Sequence, residues 1–247
     1  MMKAYKAMLK TELILSLRGM DMVIFAICMP VVIMAILGII YGGKPAYEGA
    51  SYTFVAQSFG AVAAISICAG GVMGLPLVIA DYRNKKILKR FKVTPTSPAL
   101  ILVVHVTMYA LYSIASLILV YITASLFGYR FDGSWLQFMG VFLLVMVSMF
   151  SIGLLVGGVA PNIKTASVLA SILYFPMLIF SGATLPYEIM PATLQKAADI
   201  MPLTQGIKLL KSASLGTSEE ILWLPIALMI GLALICTAIA IRFFKWE

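Results

Sequence analysis

Six stretches of this chain, 22–41, 54–80, 100–127, 135–160, 165–181 and 221–241, contain no Asp, Glu, Lys or Arg. Each is 17 to 28 residues long, near the roughly 20 residues that an α-helix needs to cross the hydrocarbon core of a bilayer. The 18 basic and 10 acidic side chains crowd into the segments between them. Uncharged apolar runs of this length read as membrane-spanning helices. With 62% hydrophobic and only 11% charged residues, against roughly 25% charged in ordinary globular chains, a soluble enzyme, a collagenous chain and a disordered tail are all excluded. The expected fold is all-α: a single polytopic membrane domain over 1–247 with six transmembrane helices. An N-terminal interfacial helix precedes them, and short outer re-entrant helices follow the fifth span.

The net charge of +8 would suit nucleic acid, but the membrane setting explains it better. Lys and Arg concentrate in cytoplasmic loops and fix orientation. With both termini inside, 13 of the 18 basic residues fall on the cytoplasmic side, and an even number of spans is required. The three cysteines, Cys28, Cys68 and Cys236, all lie inside predicted spans. They fit neither a disulfide framework nor a metal site, and are read as small buried apolar residues. Met1–Met20 is too polar for a cleavable signal peptide, and the first apolar run has full span length.

Between the spans, three segments carry a pattern. In 1–20, Tyr5, Leu9, Leu13 and Leu17 recur every four residues, with Lys3, Lys6 and Lys10 mostly opposite. That is a helix lying in the membrane interface, lysines towards lipid phosphate. In 81–99, six basic residues fall within Arg83–Lys92. Ile87, Leu88 and Phe91 share one helical face, Lys85, Lys86, Lys89, Arg90 and Lys92 cover the rest, and Pro95 and Pro98 stop the helix. Such a helix either rests on anionic headgroups or docks on a cytoplasmic partner. The fifth span contains Pro176, and 182–215 is proline-punctuated and of mixed polarity. Two short helices on or dipping into the outer leaflet are expected there, buried against protein or lining a wet cavity.

Motifs for chemistry are few. Gly38–Lys44 has the first seven positions of a phosphate-binding loop, but Pro45 stands where Ser or Thr should hold magnesium, and no strand precedes it. No ATPase, metal-binding or hydrolase signature occurs elsewhere. Gly38/Gly42, Gly70/Gly74 and Gly153/Gly157 allow close helix approach, either inside the bundle or at a subunit interface. His105, the only histidine, is read as packed or hydrogen-bonded. Gln57 is interhelical glue or a substrate contact. Ion-coupled transporters place charge at bilayer depth; here the spans have none, so the energy for any uphill transport must come from another chain, with the basic loop as its point of entry.

The run Arg83-Asn84-Lys85-Lys86-Ile87-Leu88-Lys89-Arg90-Phe91-Lys92-Val93-Thr94-Pro95 resembles the cytoplasmic signature of type-2 ABC exporter permeases, roughly Arg-Glu-x-Gly-Thr-Leu-Glu-Arg-Leu-x-x-Thr-Pro. Arg83, Leu88, Arg90, Thr94 and Pro95 match it, while Asn84, Lys86, Ile87 and Lys89 stand at its Glu, Gly, Thr and Glu. A second run, Phe180-Ser181-Gly182, Pro186, Pro191 and Pro202-Leu203-Thr204, is similar to the family's region after the fifth span. The pattern is closest to daunorubicin- and multidrug-resistance-type permeases.

The resemblance implies a dimer of permease subunits, identical or related, with two separate ABC ATPase subunits below it. This chain would bind no cofactor or metal and have no catalytic residue, ATP and magnesium belonging to the partner. Arg83, Lys85, Lys86, Ile87, Leu88, Lys89, Arg90, Phe91, Thr94 and Pro95 would couple to the ATPase. Gln57, Phe180, Ser181, Gly182, Pro186, Glu188 and Pro191 would line the substrate path and its outer gate. The expected function is ATP-driven export of a hydrophobic or amphipathic drug, antibiotic, peptide or lipid across a prokaryotic plasma membrane, among membrane lipids and without nucleic acid. The rival readings are a permease for polysaccharide, lipid-linked glycan or sodium, and a non-transporting immunity or sensor protein.

Overall fold

The computed structural model describes residues 2–47, 49–87, 98–184, 187, 190–216 and 223–243. Among the described residues the protein is all-α, with only an isolated bridge between Pro45 and Thr53 in β geometry. Helix α1 is Met2–Gly19. Six helices long and apolar enough to cross a membrane follow: α2 (Asp21–Tyr41), α3 (Phe54–Asn84), α4 (Pro98–Leu126), α5 (Trp135–Val159), α6 (Ile163–Phe180) and α9 (Trp223–Phe243). Two short helices, α7 (Ala192–Asp199) and α8 (Pro202–Leu215), fill the connection between α6 and α9.

Local sequence explains where helices start and bend. The Thr53 hydroxyl accepts the Ala56 N–H at 3.2 Å and caps α3. The Asn162 side chain does the same for α6, accepting the Thr165 N–H at 2.9 Å. Such caps satisfy amides that a helix start leaves without partners. Both α2 and α3 contain one π-helical turn, Ile24–Cys28 and Ala69–Gly74, and in both the residue after the turn is followed directly by proline. The N–H of Met29 reaches back to Ile24 O just before Pro30, and that of Leu75 to Gly70 O just before Pro76. Proline removes a backbone donor and crowds the preceding turn; the wider turn makes room for its ring while the helix continues.

Helix α3 is the axle of the bundle. Of its most apolar window 83% is buried, against 22% for α2 and for α9, and α2, α4, α5, α6 and α8 all lie against it. Small residues make this possible. A methyl group at Gly60 would stand 2.9 Å from the α8 backbone at Leu210 and Lys211. One at Gly153 of α5 would overlap the Gly71 carbonyl of α3. Gly38 faces the Phe127 ring, Gly70 and Gly74 face Tyr109, and Gly157 faces Pro76 and Ile79. These approaches all lie within the chain, and Gly42 serves instead as the end of α2, with φ +48°. An aromatic cluster of Phe59, Tyr129, Phe131, Trp135 and Phe138 ties the α4–α5 connection to the α8 end of α3.

The bundle wears its apolar residues outside as well. On α6, Val168, Ile172, Phe175 and Ile179 form one exposed stripe, a surface suited to lipid and unfit for water. Helix α1 departs from a simple surface helix. Its covered stripe is Tyr5, Met8, Leu9, Glu12, Leu13 and Ser16, with Leu9 and Leu13 packed on the protein core, while Leu17 stays exposed. The stripe that amphipathicity assigns to lipid is therefore used largely against α4.

Candidate functional site

At the end of the bundle where α1 lies, three elements meet on one carboxylate. Glu12 of α1 accepts a hydrogen bond from the Tyr82 hydroxyl of α3 at 2.5 Å and faces His105 Nε2 of α4 at 3.4 Å. His105 Nδ1 lies 2.9 Å from Ile101 O, and the Tyr82 and His105 rings meet edge to face at 5.0 Å. Nearby, the Tyr5 hydroxyl donates to Thr107 Oγ1 at 3.0 Å. Burial alone would push the Glu12 carboxyl up, but hydrogen bonds from His105 and Tyr82, and the charge of a protonated His105, hold it below the usual carboxylate range. Glu12 is thereby an anion clamped between α3 and α4.

The next residue along α3, Arg83, turns inward. Its guanidinium donates to the Gly157 and Gly158 carbonyls at 3.1 Å each, and to that of Ala160. These are carbonyls of the last turn of α5, which have no partner within their own helix, and a cation there also complements the helix dipole. Arg83 thus pins α3 to α5.

The opposite end holds a cavity of about 740 Å³. The end of α2, the 43–53 connection, the first turns of α3, residues 181–184 and helix α8 enclose it. Gln57, Ser58 and Ala61 reach it from α3, Ser181 and Gly182 from the end of α6, and Thr204, Lys208 and Lys211 from α8. Gly182, with φ +89°, turns the chain sharply out of α6, a conformation that costs a residue with a Cβ more than it costs glycine. Behind the wall, Asp199 receives the Tyr187 hydroxyl at 2.9 Å and Lys208 Nζ at 2.6 Å. Lys208 Nζ also stands 4.7 Å over the Tyr187 ring. Burial and the Asp199 hydrogen bond push the Tyr187 phenol up, so it remains a donor. Two hydroxyls are exceptions to this bonding. Ser181 and Thr204 border the cavity, and their buried hydroxyls, like those of Tyr112, Ser113, Ser116, Tyr129 and Tyr174 elsewhere in the bundle, have no hydrogen-bond partner among the described residues. A buried polar group left unpaired costs about 1–3 kcal/mol.

Comparison with known proteins supplies the remaining piece. The pattern of the family described as "ABC-2 type transporter" matches residues 3–215. The chain belongs to this family. It is also similar to Nodulation protein J of Rhizobium leguminosarum bv. viciae, 28% identical over 95 residues, a match covering 38% of this chain and 37% of that protein. The protein is accordingly a multi-pass membrane component of an ABC transporter, a permease.

The permease's signature residues divide between the two ends. Of those expected to meet an ATPase, Arg83 is buried in the α3–α5 contact. Lys85 pairs with Asp81 at 2.7 Å on the surface, Lys86 is exposed and Ile87 half-buried. Lys86 adopts φ +55° just past the end of α3, the left-handed position where helices favour glycine; the family signature has Gly there. Leu88, Lys89, Arg90, Phe91, Thr94 and Pro95 lie outside the described residues, as do Pro186 and Glu188 of the expected outer gate. Gln57, Ser181 and Gly182 come together in the cavity wall. Phe180 is half-buried and Pro191 exposed at the start of α7, and neither lines the cavity.

Sequence reasoning missed the Glu12–Tyr82–His105 cluster and the Arg83 cap, and it did not single out Thr204, Tyr187 or Lys208 as part of a site. One signal was present. Glu12 is the only acid in α1 and sits between Leu9 and Leu13 on its apolar face, where a carboxylate needs a partner from elsewhere. Among the described residues no three His, Cys, Asp or Glu side chains converge to hold a metal.

Proposed function

We propose that this chain is the membrane-spanning subunit of an exporter driven by separate ABC ATPase subunits, two of them bound to a dimer of permeases. Its cargo is a hydrophobic or amphipathic compound. The observation that carries this reading is the reach of α3. Over 31 residues, roughly 46 Å at 1.5 Å per residue, one helix supplies Gln57, Ser58 and Ala61 to the cavity and Tyr82 and Arg83 to the clamps at the other end. Directly after it comes the basic segment that the family resemblance assigns to the ATPase. Motion imposed on that segment would pass through the clamped end of α3 to the cavity wall without needing a charge inside the bilayer. The charge bias supports a cytoplasmic position for the segment and both termini, which would put the cavity at the external face of a prokaryotic plasma membrane.

The test is copurification from the native membrane, to see whether an ABC ATPase comes with this chain, followed by ATP-dependent export in proteoliposomes. Wild-type protein is expected to retain the ATPase. Phe91→Asp, which puts a charge on the apolar face formed in sequence by Ile87, Leu88 and Phe91, is expected to lose it at unchanged membrane abundance. Export by Phe91→Asp at the wild-type rate would refute the coupling role of the segment, and absence of any associated ATPase would refute the exporter reading.

A further inference from the structure

The imidazole of His105 meets an acceptor at each of its two nitrogens. Nδ1 lies 2.9 Å from Ile101 O; a carbonyl only accepts, so Nδ1 carries a proton. Nε2 stands 3.4 Å from Glu12 Oε2, and an ionised carboxylate only accepts as well. The one proton of the Tyr82 hydroxyl is already given to Glu12 Oε1. A neutral imidazole has a single N–H, which the Ile101 carbonyl takes, so its Nε2 lone pair would face a carboxylate oxygen with no proton between them. A second ring proton turns that contact into a charge-assisted hydrogen bond. Burial pulls the Glu12 carboxyl up, but its bonds to His105 and Tyr82 hold it below its ordinary value, so this proton resides on the ring.

The contact is shielded, and it joins two helices. The His105 side chain is 2% exposed and that of Glu12 14%, and the Tyr82 ring meets the imidazole edge to face. Glu12 is the only acid of α1, whereas Lys3, Lys6 and Lys10 of that helix are exposed. The neighbouring elements bring Tyr5 of α1, bonded to Thr107, Asp81 of α3, paired with Lys85, and Arg83, spent on α5. Tyr109 lies one turn further along α4, and Asp21 and Cys28 at the start of α2 are exposed. Among these groups it is histidine whose charge ordinarily changes between about pH 5 and 8. The Tyr5–Thr107 bond and the packing of Leu9 and Leu13 outlast the loss of a ring proton, so α1 would loosen from α4 without leaving it.

We propose that Glu12 and His105 form a proton-operated latch between α1 and α4, shut while the imidazole carries two protons and loosened when rising pH takes one of them to water. Its hold fades as pH rises through the histidine range. In acid it fails again once Glu12 takes a proton, below about pH 4.5. On the exporter reading the latch would make the end next to the ATPase segment answer to cytoplasmic pH. The latch itself belongs to this chain and opens without an ATPase.

The experiment uses the full chain in nanodiscs of zwitterionic lipid, whose surface charge stays constant over the range tested. His105 is the only histidine, so nitrogen-15 labelling of histidine gives a single ring to observe. Its signals are expected to show both nitrogens protonated at about pH 5.5, and the neutral form with hydrogen on Nδ1 at about pH 8.5. Spin labels at Thr11 of α1 and Ile118 of α4, both exposed, read the latch as a distance in a background with the three cysteines replaced. The longer, loosened distance is expected to gain about tenfold or more in population over that range, the step that one charge-assisted hydrogen bond supplies. Glu12→Gln, whose amide can donate to a neutral Nε2, is expected to show a neutral ring where the wild-type ring is charged. Neither that variant nor His105→Gln is expected to change its distance with pH. A neutral ring with hydrogen on Nε2, or a ring whose charge is the same at both pH values, overturns the latch. A ring that titrates while the distance holds still makes the pair a static contact and overturns it too. A pH-dependent distance that survives in both variants moves the switch away from these residues. A working latch in a chain that brings no ATPase from the membrane would sink only the exporter reading. A working exporter whose α1 ignores pH would sink only the latch.

Discussion

At the α1 end of the bundle Glu12, Tyr82, His105 and Arg83 each have a partner on another helix. At the cavity end Ser181 and Thr204 are just as deeply buried and have none among the described residues. The two ends share α3, so the contrast is not one of helix type or hydrophobicity. It lies in how the polar groups are spent. Charged and aromatic groups at one end close bonds across α1, α3, α4 and α5, which fixes those helices against one another. At the other end hydrogen-bonding capacity is left open around a cavity. On the proposed exporter reading, the bonded end would be the grip where force enters and the cavity end the place where a guest is received.

The sharpest way to break this comparison is to truncate a polar group at each end. Arg83→Met removes charge-assisted bonds to the last carbonyls of α5 and should destabilise the protein by about 2–3 kcal/mol, read as a lowered thermal midpoint in detergent. Ser181→Ala at the cavity end should leave the midpoint level or raise it. Equal losses at both ends would erase the distinction.

Glu12→Gln comes next, at about 1 kcal/mol, and it carries a pH signature. Because the folded protein holds the Glu12 carboxyl below its ordinary value of 4.5, the stabilisation is complete above that value and is lost as pH falls through the lower, folded one. Wild-type protein should therefore surrender its advantage over Glu12→Gln on acidification below about pH 4.5. A constant difference between the two down to strongly acid pH would mean that Glu12 is not held as an anion.

The smallest effect has the opposite sign. Lys86→Gly relieves the left-handed backbone at the end of α3 and should raise stability by about 0.5–1 kcal/mol. A loss of stability there would show that the Lys86 side chain earns more than its backbone costs.

Much of this was legible in the sequence, for a physical reason. Charge is so costly in hydrocarbon that the uncharged runs mark the spans, and all six coincide with helices. The same rule misplaces helix ends, because helices run past the hydrocarbon. Absence of charge closes the second span at Ala80, yet α3 continues through Asp81 and Arg83 to Asn84. It opens the fifth at Thr165, yet the Asn162 cap starts α6 at Ile163 and takes Lys164 into its first turn. The clamp was not legible, since nothing local ties Glu12 to His105 or Arg83 to Gly157. The family signature marked Arg83 for the ATPase surface, whereas its guanidinium is spent on α5. For Lys86 the signature's glycine and the observed backbone agree, and the lysine is the departure. Gln57 was open between helix glue and guest contact, and it lies in the cavity wall.

The central claim is that α3 carries motion from its clamped end to the cavity. The direct measurement is the rate at which an impermeant maleimide modifies a single cysteine at position 58, in a protein with Cys28, Cys68 and Cys236 replaced, reconstituted with the proposed partner ATPase. Labelling is compared with and without ATP trapped by vanadate, in the wild-type background and in Glu12→Gln and Arg83→Met. The predicted result is a rate that changes on trapping in the wild-type background and changes far less in either variant, with ATP hydrolysis still present in all three. A trapped-state change of the same size in all three backgrounds, or none in any, would contradict it.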